Sequence, residues 1–141
     1  MIRRLGLSDA VAMSTLHRKS FSVGWPPAEM RLHIEKDLCL GLGDPLAAFI
    51  LVQIGGDQAD ILTIATHPDH RRKGLARQLL TKAETCLRDQ KVETLFLDVS
   101  ELNDNAKSLY KSCGYQAVGR RPRYYRTPNG RVASITFSKS L

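Results

Sequence analysis

Residues 71–76 of this chain read Arg-x-x-Gly-x-Ala, directly after an apolar run and at the head of a helically periodic one. A strand, a glycine turn and a helix in that order form an anion cradle. The glycine opens backbone conformations closed to other residues, and the free amides and dipole of the helix start favour negative charge. Arg71, Arg72, Lys73, Gly74, Leu75, Ala76 and Arg77 are the candidate cradle, with four basic side chains at one spot. A pyrophosphate fits it. No Gly-Lys-Ser/Thr follows and no three-glycine spacing is present, which excludes the P-loop and the dinucleotide fingerprint.

Three further residues could do acid–base chemistry. Asp98 stands in a β-type run between Leu97 and Val99, where a carboxylate is disfavoured. A half-buried acid there is either hydrogen-bonded scaffolding or a functional group. Asp60, at the start of the preceding strand, reads as a solvent-facing turn residue. Tyr110 lies on an apolar helix face, where core packing is the plain reading. The four histidines (His17, His33, His67, His70) lack metal-ligand spacing, so no metal is expected. Cys39, Cys86 and Cys113 form no CxxC pair and argue against a disulfide framework, which points to a reducing cytoplasm.

Periodicity supplies the elements that hold these residues. Residues 2–5 read as a strand, and Ser8 is expected to cap a helix running to about residue 19. Pro26-Pro27 opens a second helix with Met30, Ile34 and Leu38 on one stripe. Residues 46–54 and 59–66 form a hairpin across a Gly55-Gly56-Asp57-Gln58 turn. Leu75, Leu79, Ala83, Cys86 and Leu87 share one face of a helix over residues 74–89. A strand over residues 94–100 sets Leu95, Leu97 and Val99 against Phe96, Asp98 and Ser100. Asn103 or Asp104 caps a further helix with Ala106, Leu109, Tyr110 and Cys113 inside, stopped by Gly114. Residues 115–119 and 132–138 are the last strands. This alternation of strands and helices implies one α/β domain, 1–141, with at least one parallel crossover.

The 141 residues are 43% hydrophobic and 25% charged, which fits an ordered globule rather than a disordered chain. The longest apolar stretch, residues 45–54, is too short to span a bilayer, and Gly6, Ser8 and Asp9 interrupt any signal-type core behind Arg3-Arg4. The net charge of +7 favours anionic partners and concentrates at 70–77 and at Arg120, Arg121, Arg123, Arg126 and Arg131.

The Arg-x-x-Gly-x-Ala turn after a hairpin strand resembles the acetyl-coenzyme-A loop of the GNAT acyltransferases. The likeness runs through Leu-Phe-Leu-Asp-Val-Ser at 95–100, Asn103, Asn105-Ala106, Leu109-Tyr110, Gly114-Tyr115 and Arg123-Tyr124-Tyr125, with a weaker echo at Ser20-Phe21 and Trp25. Within the superfamily it is most similar to the bacterial ribosomal-protein-alanine N-acetyltransferases, which act on ribosomal protein S18. The resemblance implies a three-layer fold with a mixed sheet of about seven strands and about four helices. It implies acetyl-CoA as co-substrate, a protein N-terminus as acceptor, and a monomer or weak dimer that uses no membrane and no direct nucleic-acid contact. It assigns the end of the strand before the loop, Ile64, Ala65 and Thr66, to the pantetheine arm and the thioester carbonyl, and gives Asn103 a pantetheine contact from the other side. Asp98 takes the place of the general base, where related enzymes usually carry Glu, so a water relay is expected. Asp60 matches the base position of histone-type members. Tyr110 matches the general acid. Trp25, Tyr124 and Tyr125 match the peptide entrance, where Pro122 replaces a more usual polar residue.

An α-amine has a pKa near 7.7–8.0 and is partly neutral at cytoplasmic pH, whereas a lysine near 10.4 is not, so a weak base suits N-terminal acceptors. Two alternatives stand beside this expectation: transfer to a lysine or small amine, and a non-catalytic basic module that binds RNA or the ribosome.

Overall fold

The computed structural model describes residues 1–21 and 24–141. Seven strands form one sheet in the order β1-β2-β3-β4-β5-β7-β6: β1 (Ile2–Arg4), β2 (Leu38–Leu42), β3 (Ala48–Gly55), β4 (Gln58–Thr66), β5 (Thr94–Ser100), β6 (Gln116–Thr127) and β7 (Gly130–Ser140). Neighbours are antiparallel except β4 and β5, which are joined by the crossover helix α3 (Leu75–Asp89).

Side-chain alternation divides the strands between two cores. On one face Leu40, Ile50, Val52, Leu95 and Leu97 pack against Leu79, Leu80, Ala83 and Leu87 of α3. Helix α4 (Asp104–Ser112) adds its partly buried Ala106, Leu109 and Tyr110 to this layer. On the other face Cys39, Phe49, Leu51 and Ala65 meet Ala10, Met13 and Leu16 of α1 (Ala10–Ser20) and Met30 of α2 (Pro27–Lys36). Each fully buried Leu or Ile contributes roughly 1.5–3 kcal/mol to this three-layer sandwich. The strand residues of the second core belong to β2, β3 and β4, so α1 and α2 leave the same face of β5 and β7 uncovered. No described helix is long and apolar enough to cross a membrane.

Three expectations need correction. Ser8 does not cap α1. A 3₁₀ turn over Leu7–Asp9 precedes the helix, and Asp9 accepts the Gly6 N–H at 2.8 Å while bonding Arg3 at 2.8 and 3.0 Å. Leu38 does not belong to the α2 stripe. That helix ends at Lys36 with an extended Asp37, and Leu38 begins β2, in which all five residues are buried. Finally, β6 does not end at residue 119 but runs on to Thr127. Pro122 and Arg123 fit there because β6 is an edge strand whose register shifts between Arg121 and Tyr125, with Arg123 at φ 56°.

Candidate active site

The cradle is formed as its residues require. Strand β4 ends at Thr66, a 3₁₀ turn covers Pro68–His70, and Gly74 caps α3 at φ 76°, ψ 15°. Gln78 N–H is bonded to the Gly74 carbonyl at 3.0 Å. The amides of Leu75, Ala76 and Arg77 precede that bond and therefore have no intrahelical acceptor. A Cβ built on Gly74 would meet nothing within 4 Å, so the turn is open to solvent. Arg71, Arg72 and Lys73 are exposed around it, with Arg72 at φ 64°. The Arg77 side chain points elsewhere: its Nη2 donates to Ser112 Oγ at 2.7 Å and its Nη1 to Cys113 Sγ at 3.4 Å. Of Arg77, only the backbone stands in the cradle.

Strands β4 and β5 pair only from Gln58–Thr94 to Ile61–Leu97, then separate while both continue. His67 N–H donates to Ala47 O at 2.8 Å. The alternation of the antiparallel ladder then turns the amides of Ala65 and Thr63 toward β3. Those of Ile64 and Thr66 face the open side, where the Thr66 carbonyl accepts from Ser20 Oγ at 3.2 Å. A backbone edge thus lies free along the split. One side of the split leads to the cradle and the other to the start of α4, where Asn103 Oδ1 accepts the Ala106 N–H at 3.1 Å. Such a crevice beyond the carboxyl ends of parallel strands is a common ligand position in α/β sheets.

On the uncovered face a cleft of about 300 Å³ opens between the same two strands. Asp60, Leu62, Leu97 and Asp98 line it with Gln53, and Tyr124 and Tyr125 form its rim. Asp98 is exposed, not half-buried, because its face of β5 carries no helix; Thr136 Oγ1 donates to its Oδ1 at 2.6 Å. Asp60 lies within β4 rather than in a turn, and burial, then the charge of Asp98, pushes its carboxyl above the usual range. The two tyrosine rings meet edge to face at 5.1 Å, and Arg121 stacks over Tyr124 at 5.3 Å. Burial raises the Tyr125 phenol.

Tyr110 is partly buried on α4, its ring edge-on to Tyr115 at 5.9 Å. Burial, reinforced by Cys113, pushes its phenol up to about 12, so it holds its proton at neutral pH. Trp25 is not brought to the cleft. It stacks between His17 (4.9 Å) and His33 (5.3 Å) in the α1–α2 layer. Sequence reasoning missed the buried Glu84, which accepts from Tyr115 at 2.8 Å and Lys139 at 2.9 Å; its helical period alone marks it as inward-facing. No group of three His, Cys, Asp or Glu among the described residues could hold a metal ion.

A three-layer α/β sheet, split at its one parallel pair and fed by an amide-lined turn, defines a coenzyme-binding type of fold. Residues 10–115 match the acetyltransferase (GNAT) family, and the chain belongs to it. It is 39% identical over 90 residues to the [ribosomal protein bS18]-alanine N-acetyltransferase of Escherichia coli (strain K12), a match over 64% of this chain and 61% of that relative. It is 30% identical to a putative enzyme of the same name from Bacillus subtilis (strain 168), over 95% of this chain and 91% of that protein. The crystal structure of the ribosomal-protein-S18-alanine N-acetyltransferase from Escherichia coli superposes with a TM-score of 0.93 at 29% identity, covering all of this chain and 93% of the other.

Proposed function

We propose that this protein transfers an acetyl group from acetyl-CoA to the N-terminal α-amine of a protein, with ribosomal protein S18 as acceptor. One observation carries the reading: the β4–β5 split joins the amide cradle to a cleft holding Asp60 and Asp98. The names of the relatives supply the acceptor. The three free cysteines fit a cytoplasmic setting.

The cradle residues 71–77 hold the coenzyme phosphates, and the open backbone at Ile64 to Thr66 receives the pantetheine arm, with Asn103 opposite. The acetyl group enters as a thioester, which supplies an activated carbonyl. The acceptor amine, deprotonated toward Asp98 directly or through water, forms the new C–N bond as the C–S bond breaks. An N–H aimed at the carbonyl oxygen is worth about 2.7–4 kcal/mol at such a transition state. Tyr110 returns a proton to the departing thiolate. Tyr124 and Tyr125 guide the peptide at the rim, and Trp25, held between His17 and His33 away from the cleft, takes no part in it.

Mass spectrometry of S18-like N-terminal peptides incubated with enzyme and acetyl-CoA tests the assignment. The expected product carries one acetyl group on the α-amine, and Asp98→Asn lowers turnover by about 10²-fold while acetyl-CoA affinity stays near wild type. Acetylation on a lysine side chain of the same peptide, with the α-amine untouched, overturns the acceptor assignment.

A further inference from the structure

Helix α4 is nine residues long and none of them is fully buried. Packing alone therefore fixes it weakly, as expected of an element with few buried apolar contacts. Its N-terminus is tied by the Asn103 cap. Its C-terminal turn is tied by Arg77, which reaches across from α3, 35 residues away in the chain. The guanidinium grips Ser112 Oγ and Cys113 Sγ; the Ser112 hydroxyl in turn donates to the Leu109 carbonyl at 2.7 Å. Tyr110 sits between these anchors, and its own carbonyl accepts from Cys113 N and Tyr115 N at 3.1 and 3.0 Å. The other end of the same arginine, its N–H, is one of the free amides at the start of α3.

We infer that Arg77 is a positioning residue that couples the cradle to the proton donor: its backbone belongs to the phosphate turn while its guanidinium holds the turn of α4 that carries Tyr110. The inference rests on the proposed function, in which Tyr110 protonates the leaving thiolate. The guanidinium is spent on α4 and does not serve as a phosphate ligand. A planar fork with several donors suits two acceptors on one turn, and a lysine does not replace it.

Arg77→Met keeps the aliphatic stem and the backbone N–H and deletes only the fork. Calorimetric acetyl-CoA affinity is expected within about threefold of wild type, whereas the single-turnover acetyl-transfer rate falls about tenfold or more. Ser112→Ala, which removes one of the two acceptors, gives a smaller loss in the same direction. The deciding measurement is the double variant Arg77→Met/Tyr110→Phe, expected to be no slower than Tyr110→Phe alone, because both changes disable one device. A merely structural strap would lower the melting temperature and leave the two rate effects multiplicative. That result overturns the inference, as does a wild-type single-turnover rate in Arg77→Met, or a lost coenzyme affinity with the rate preserved at saturation. If Tyr110→Phe is itself silent, the proton-donor assignment fails, and the coupling fails with it. A slow Tyr110→Phe beside a normal Arg77→Met overturns the coupling alone.

Discussion

His17 shows how one residue can be bound in place by its protonation state. It is 3% exposed on α1, stacked against Phe21 at 4.5 Å and Trp25 at 4.9 Å. Trp25 N–H donates to Nδ1 at 3.1 Å, which leaves the proton on Nε2, 3.2 Å from Thr63 Oγ1. The ring is thus held neutral, and burial lowers its pKa below the ordinary value. In the unfolded chain the imidazole takes up a proton near pH 6.5, earlier than in the fold. Its stabilising effect is therefore complete above about pH 6.5 and is lost as pH falls through that value toward the folded one. Urea titrations between pH 7.5 and 5 should show stability declining, and His17→Gln should be less stable at pH 7.5 but flatter across the range. An equally steep decline in that variant would assign the pH dependence to other groups. The chemical residues were legible to different degrees. Gly74, Asp98 and Asn103 sit in local patterns that a sequence displays: a glycine turn, an acid in a strand, a cap. Asp60 became part of the cleft only when β4 and β5 came side by side, and Trp25 left it because two histidines took its ring.

At the scale of elements, periodicity located α3, α4 and β5 because the apolar residues of each lie on one face turned to one core, while β4 was found as the second arm of a hairpin although it feeds both cores. Periodicity misjudged β2, whose five residues are buried on both faces and so carry no alternation, and it ended β6 at residue 119, because the arginines and proline beyond show no strand pattern until a bulge on an edge strand accommodates them. The Glu84 junction was equally invisible, since its partners come from two other elements. Glu84, 5% exposed, joins α3 to Tyr115 ahead of β6 and to Lys139 of β7, with Arg88 at 3.8 Å. Burial, then Glu84 itself, holds the Tyr115 phenol well above its ordinary value. Glu84→Ala strands a buried hydroxyl and an ammonium that retains partial access to water. A loss of about 2–3 kcal/mol in urea unfolding is expected, below the full cost of an unpaired buried charge because Lys139 reaches solvent. Tyr115→Phe should cost only about 1 kcal/mol. Equal losses in the two variants would mean that the lysine contact contributes nothing.

Across the whole molecule, charge is distributed by task. The net charge is +7, yet the cleft floor carries two carboxylates, while Arg71, Arg72 and Lys73 surround the cradle at the start of α3. The cradle attracts in two ways that respond differently to salt. Its exposed side chains act through solvent, where the Debye length shrinks from about 10 Å at 0.1 M to about 3 Å at 1 M. In the proposed reading its helix-start amides act by direct hydrogen bonds to phosphate oxygens, which screening weakens far less. Raising sodium chloride from about 0.05 to 0.5 M should therefore weaken acetyl-CoA binding several-fold by calorimetry and then level off at the affinity the amides alone provide. Arg72→Ala should shift the low-salt affinity toward that plateau and leave the high-salt value nearly unchanged. A coenzyme affinity flat in salt would remove the exposed arginines and lysine from binding and leave the backbone turn as the whole of the site. An affinity that falls without levelling would instead mean that the amides of Leu75, Ala76 and Arg77 do not reach the phosphates.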